Sequence, residues 1–157
     1  MPLSDIVDKH LTYTYDNGWK YEFWLKSEKR IVYSIHGGPM NGRLNYQTCA
    51  VQEVRTSEIF QVSLVLTLAE TGTVVSIIVD LPKKRITTYM AFSKGHWDFP
   101  EKAHGDKRNA DDFARWRTLA DVGKNTDRHI LPEQATIDTI SEGKGDLEDI
   151  DDDAPTI

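Results

Sequence analysis

The chain predicts a mainly β fold, an antiparallel barrel or sandwich, with one helix near its end. Three observations carry this reading. Seven runs of strand-forming residues fill positions 10–92 at short spacing, turn-forming residues separate them, and one later stretch has helical periodicity. His10–Tyr15 is short and rich in Thr and Tyr. Asp16-Asn17-Gly18 follows, and Asn-Gly predicts a type I′ hairpin turn. In the next run Trp19, Tyr21, Phe23 and Leu25 share one face, while Lys20, Glu22, Trp24 and Lys26 share the other. Arg30–His36 alternates through Ile31, Tyr33 and Ile35, then breaks at Gly37-Gly38-Pro39. The remaining runs are Gly42–Arg55, Ile59–Ala69, Val74–Leu81 and Arg85–Phe92. Asn109–Val122 places Phe113, Trp116, Leu119 and Ala120 on one side of a helix, with Asn109 or Asp111 as its cap. Ala135–Ile140 reads as a closing strand.

The 157 residues fit one domain, residues 1–140, followed by a tail at 141–157. The net charge of −6 resides in that tail, which holds seven acidic residues and one lysine. A short acidic, polar segment of this kind reads as disordered. The body is electrically balanced, which argues against a nucleic-acid partner. No apolar run is long enough to span a bilayer, so no membrane partner is expected. The opening MPLSDIVDKH lacks a basic region followed by an apolar core, so no secretory signal is expected. With Cys49 as the one cysteine, an internal disulfide is impossible, and a reducing, cytoplasmic setting is expected.

The five histidines show no metal-binding spacing, and no phosphate-cradling glycine loop or G-x-S-x-G is present. Cys49, inside a strand, reads as packing. The chemistry-bearing group is Tyr13, Tyr15 and Tyr21, with Arg43 and an acid near Glu70. Residues two apart on a strand share a face, so Tyr13 and Tyr15 present two phenols together. On spacing alone, core packing is the ordinary reading of these tyrosines, and a place on the rim is that of Arg43.

Tyr13-Thr14-Tyr15-Asp16-Asn17-Gly18-Trp19-Lys20-Tyr21-Glu22 resembles the Y-T-Y-x-N-G-W-x-Y-E motif of the phenolic acid decarboxylases. Ile35-His36-Gly37-Gly38 with Gly42-Arg43, the turn Thr71-Gly72-Thr73, the block from Phe92 to Glu101, and Pro132-Glu133 are similar to further segments of that family. The resemblance implies a lipocalin-like, calycin-type antiparallel β-barrel with a flanking helix, usually a homodimer. It implies cofactor-free decarboxylation of 4-hydroxycinnamic acids, such as p-coumaric and ferulic acid, to 4-vinylphenols. Neither a metal nor an organic cofactor is implied. Glu70, Arg43, Tyr13 and Tyr15 would be catalytic. Tyr21, with Tyr13 and Tyr15, would bind the phenolic substrate.

The chemistry explains these residue types. Direct loss of CO₂ from an acrylic acid leaves a vinyl anion of very high energy. Protonating the α-carbon first, while a para-hydroxyl loses its proton, gives a quinone methide that accepts the electrons released with CO₂. This needs a proton donor, polar groups at both ends of the substrate and an apolar slot for the ring.

Some positions depart from the family. Its glutamate lies two residues before T-G-T, where this chain has Ala69, and Glu70 is adjacent to Thr71. A one-residue shift turns a strand side chain to the other face, so Glu70 needs a bulge to serve. G-R-W becomes Gly42-Arg43-Leu44, and F-P-K-W becomes Phe92-Ser93-Lys94-Gly95. Two other classes stay open: a cyclase, isomerase or dehydratase on the same barrel, and a non-catalytic small-molecule-binding barrel.

Overall fold

A computed structural model describes residues 2–64, 70–124 and 127–156. The strands are β1 (Lys9–Tyr15), β2 (Lys20–Leu25), β3 (Arg30–Ile35), β4 (Arg43–Arg55), β5 (Ile59–Leu64), β6 (Val74–Asp80), β7 (Arg85–Ser93), β8 (Gly105–Asp106) and β9 (Arg128–Glu142). Two helices, α1 (Lys94–Asp98) and α2 (Ala110–Ala120), lie between β7 and β9. Hydrogen-bonded neighbours run β3-β2-β1-β9-β7-β6-β5-β4, and β3 pairs with β4 to close the ring. The fold is therefore a mainly β, eight-stranded antiparallel barrel of lipocalin-like form, and closure leaves the eight strands no open sheet edge. β8 adds a short parallel pairing to β4 at Arg43 and Leu44.

The alternation read from the sequence sets the inside. Leu11, Tyr13 and Tyr15 of β1, Tyr21, Phe23 and Leu25 of β2, and Phe60, Val62 and Leu64 of β5 all join one buried core. In α2, Trp116 and Leu119 are buried, and the Asn109 side chain accepts from the backbone N–H groups of Asp111 and Asp112, capping the helix.

Several expectations change. The β1–β2 loop is not a type I′ turn. Tyr15 N–H donates to the Trp19 carbonyl, Gly18 N–H donates to the Tyr15 carbonyl, and Gly18, but not Asn17, has a positive φ. That is a three-residue loop with its glycine in the left-handed position. The fifth strand is described only to Leu64, and Val65–Ala69, with the expected bulge, lie outside the described residues. β9 begins at Arg128, well before Ala135. Pro132 fits inside it because β1 reaches only as far as Ala135, so no ladder bond is asked of the proline on that side. Helix α1 had no periodic signal.

The expectation of a disordered tail is corrected. β9 runs on to Glu142, and the residues after it pack on the outer face of β2, β3 and β4. Leu147 and Ile150 are buried there against Trp24, Val32 and Tyr46. Arg30 donates to the carbonyls of Asp152 and Ala154 at 2.9 and 2.8 Å. Lys26 pairs with Asp149 at 2.7 Å. The acidic run is thus matched to basic groups of the barrel wall.

Candidate active site

The barrel holds a pocket with about 580 Å³ of atom-free space, its open mouth included. Its walls are mostly apolar, among them Phe23, Ile31, Ile35, Leu64, Val75, Ile77 and Met90. Three phenols meet in it. The ring centroids of Tyr13 and Tyr15 are 5.6 Å apart, those of Tyr15 and Tyr21 5.1 Å, and those of Tyr13 and Tyr21 6.0 Å. The i, i+2 spacing of β1 and the Tyr13↔Tyr21 register of β1 with β2 put them there. The register with β9 also shifts between Thr12 and Tyr13. Burial pushes the Tyr15 hydroxyl up to about 12 and raises Tyr13 and Tyr21 as well. All three are therefore neutral near neutral pH and can donate hydrogen bonds. Tyr15 Oη and Thr88 Oγ1 lie 3.0 Å apart.

Arg43 lines the same pocket and is buried. Its guanidinium carbon sits 4.1 Å from the ring centroid of Trp116, a cation–π contact that orients the fork. Among the described residues its Nε has no hydrogen-bond partner. Trp116 comes from α2, which packs closely on α1: a Cβ on Gly95 would lie 2.0 Å from the Leu119 carbonyl oxygen. The glycine at this departure from the family pattern is thus required by packing.

Beside Arg43 is a second polar group. Ser93 Oγ donates to the Thr71 carbonyl at 2.8 Å and lies 2.9 Å from His96 Nδ1. A hydroxyl has one proton to give, so Nδ1–H of His96 must donate to Ser93. Burial, with a smaller contribution from the Arg43 charge, pushes His96 down to about 2. The ring is neutral, and its Nε2 is a buried acceptor with no partner among the described residues. Cys49, on β4, is buried, and burial pushes its thiol up to about 12, which keeps it protonated and unreactive.

Glu70 is fully buried but is not among the pocket-lining residues. It stands next to Thr71, which is. Gln47 Nε2 donates to its Oε2 at 2.6 Å, and Lys107 Nζ lies 2.7 Å from its Oε1. Gln47 belongs to a polar row on β4, Arg43, Asn45 and Gln47, all buried. Asn45 Nδ2 donates to the hydroxyl of Tyr33, which also lines the pocket. Period-two alternation makes this row visible in the sequence. Lys107 has no such signal, because it sits in a short segment whose pairing to β4 is a tertiary event.

Tyr13, Tyr15, Tyr21 and Arg43 thus meet in one pocket, with Glu70 held just outside its lining. Among the described residues no group of three His, Cys, Asp or Glu side chains is placed to hold a metal ion. No helix there is long and apolar enough to cross a membrane.

A family model described as phenolic acid decarboxylase matches residues 3–156. Phenolic acid decarboxylase PadC of Bacillus subtilis (strain 168) is 33% identical over 100 residues, 63% of this chain and 60% of that protein. A probable phenolic acid decarboxylase of Vibrio cholerae serotype O1 is 29% identical over 136 residues, 86% of this chain and 75% of that protein. The match spans most of the barrel, with the tyrosine cluster and Arg43 inside it: the chain belongs to the phenolic acid decarboxylase family of carboxy-lyases.

Proposed function

We propose that this protein decarboxylates 4-hydroxycinnamic acids, such as p-coumaric and ferulic acid, to 4-vinylphenols without a cofactor. The observation that carries the reading is the meeting of three neutral phenols and a buried arginine in one largely apolar slot. A planar aromatic acid has those needs: an apolar sleeve for the ring, donors for a phenolate and a cation for a carboxylate. Tyr13, Tyr15 and Tyr21 bind and orient the polar ends of the substrate, and Arg43 anchors its anionic charge. Glu70 gives a proton to the α-carbon. The phenol gives its proton to solvent, a quinone methide forms, CO₂ departs leaving its bonding electrons in the ring system, and the phenolate so formed takes a proton back from solvent to give the vinylphenol.

A second reading is favoured by the ion pair that holds Glu70 outside the lining. In it the barrel performs different chemistry on a phenolic ligand, as a cyclase, isomerase or dehydratase, or binds without turnover. Incubation with p-coumarate, with vinylphenol followed by absorbance, separates the two. Vinylphenol from the wild type and its loss in Glu70→Gln support decarboxylation, and undiminished turnover by Glu70→Gln refutes the acid's assignment.

The family resemblance also supports a homodimer. The tail covers one outer face of the barrel, while exposed Val74 and Ile78 of β6, Tyr89 of β7 and Ile130 of β9 form an apolar patch elsewhere on it. We assign the patch to the second copy. Tyr89→Glu then gives monomers in sedimentation velocity, and an unchanged dimer refutes the assignment.

A further inference from the structure

Lys107 is buried, and its ammonium meets a carboxylate, a carbonyl and an aromatic ring. Nζ lies 2.7 Å from Glu70 Oε1, donates to the Tyr46 carbonyl at 2.9 Å, and stands 4.1 Å from the Tyr46 ring centroid. The side chains of Lys107 and Glu70 are only 2% and 1% exposed. The backbone fixes this approach: β8 pairs with β4, and Lys107 N–H donates to the Leu44 carbonyl at 3.1 Å. Gln47 holds the other oxygen of Glu70, so the carboxylate is clamped between two nitrogen donors.

We propose that Lys107 is a positioning residue for Glu70, one that orients the carboxyl and returns a proton to it in each turnover. This rests on the reading above that Glu70 is the proton donor. The steps balance. A Lys107 N–H bond breaks and a Glu70 O–H bond forms, turning a buried ion pair into a neutral amine and a neutral acid. Removing two opposite charges from a dry wall at once carries little electrostatic cost, because the pair forfeits its desolvation penalty together with its attraction. The Glu70 O–H bond then breaks as a C–H bond forms at the α-carbon. The amine and carboxylate left behind recover one proton from solvent.

The groups around Lys107 act on its charge in both directions. Arg30 and Arg43 repel it, Glu70 attracts it, Tyr46 offers its carbonyl and ring face, and Phe113 offers a ring face. Burial, aided by the two arginines, brings Lys107 down to about 8 despite Glu70. The pair therefore loses its transferable proton as pH rises through about 8, and activity falls there.

The test compares Lys107→Arg, Lys107→Met and Glu70→Gln, using p-coumarate turnover across neutral to alkaline pH. Binding of the saturated analogue 3-(4-hydroxyphenyl)propionate reports an intact pocket. Arginine keeps the ion pair but does not give up its proton. The expected result is that Lys107→Arg binds the analogue within about twofold of wild type, loses about 10²-fold in kcat, and lacks the alkaline limb, with KM little changed. Lys107→Met loses as much. Wild-type kcat and an unmoved limb in Lys107→Arg, with Glu70→Gln inactive, overturn the role of Lys107 alone. An active Glu70→Gln overturns both it and the reading beneath it.

Discussion

Replacing Leu147 by alanine probes whether the acidic tail is part of the folded protein. Leu147 is 2% exposed and packs with Ile150 on Trp24, Val32 and Tyr46. The change removes three buried carbons, at about 0.8 kcal/mol each, so about 2.4 kcal/mol of transfer energy. The segment lies on the outside of the barrel and can settle into the space left behind, which keeps the cavity cost small. The loss is therefore about 2 kcal/mol, provided the tail unfolds with the barrel. If the tail peels off first, the loss cannot exceed the free energy of docking it. Urea unfolding followed by tryptophan fluorescence measures the difference, with Trp24 inside the affected cluster. The expected outcome is a lower midpoint with an unchanged slope. Hydrogen exchange separates the two routes, since a tail that peels off exposes its amides before the strands do. A midpoint equal to wild type, with tail amides exchanging in the native protein as fast as in a free peptide, refutes the packed tail.

Other outcomes follow from the site. Arg43→Met removes one charged hydrogen-bonding partner, so affinity for the saturated substrate analogue should fall by about 1.5–3 kcal/mol. Isothermal titration measures it, and unchanged affinity removes Arg43 from carboxylate binding. His96 is neutral in the fold and becomes charged near 6.5 in the unfolded chain. The unfolded state therefore binds the extra proton, and His96 costs about 1.4 kcal/mol of stability per pH unit as pH falls below roughly 6.5, down toward its folded value of about 2. Urea unfolding at a series of acidic pH values shows this slope, and His96→Leu should remove it. Equal slopes in the two proteins refute the buried neutral ring.

Much of the barrel was legible because alternation is a local signal. Tyr21, Phe23 and Leu25 face inward as their spacing requires, and Trp116 and Leu119 do so on α2. The early start of β9 was not legible, because a strand's tolerance of Pro132 depends on which side of β9 has a neighbour at that height. The tail misled for a related reason. Two apolar residues in an acidic segment look too few to dock, until Trp24, on the otherwise polar face of β2, is seen to sit in the outer apolar strip that receives them. At the site, Tyr13, Tyr15, Tyr21 and Arg43 are readable from motif and period. Lys107 is not, because only the pairing of β8 with β4 brings it to Glu70, 37 positions away in the chain.

The double duty of β4 separates scaffold from chemistry. Residues 43–48 ladder to β3, and residues 49–55 ladder to β5. Closure of the barrel is thus secured at both ends of one strand, while the short segment carrying Lys107 and the turn carrying Glu70 attach beside it. Substitutions in those two attachments can alter the Lys107–Glu70 ion pair without removing a single rung of the β3–β4 and β4–β5 ladders. The barrel is thus a fixed chassis with a side panel attached to it, and the panel can change while the tyrosine-lined interior stays in place.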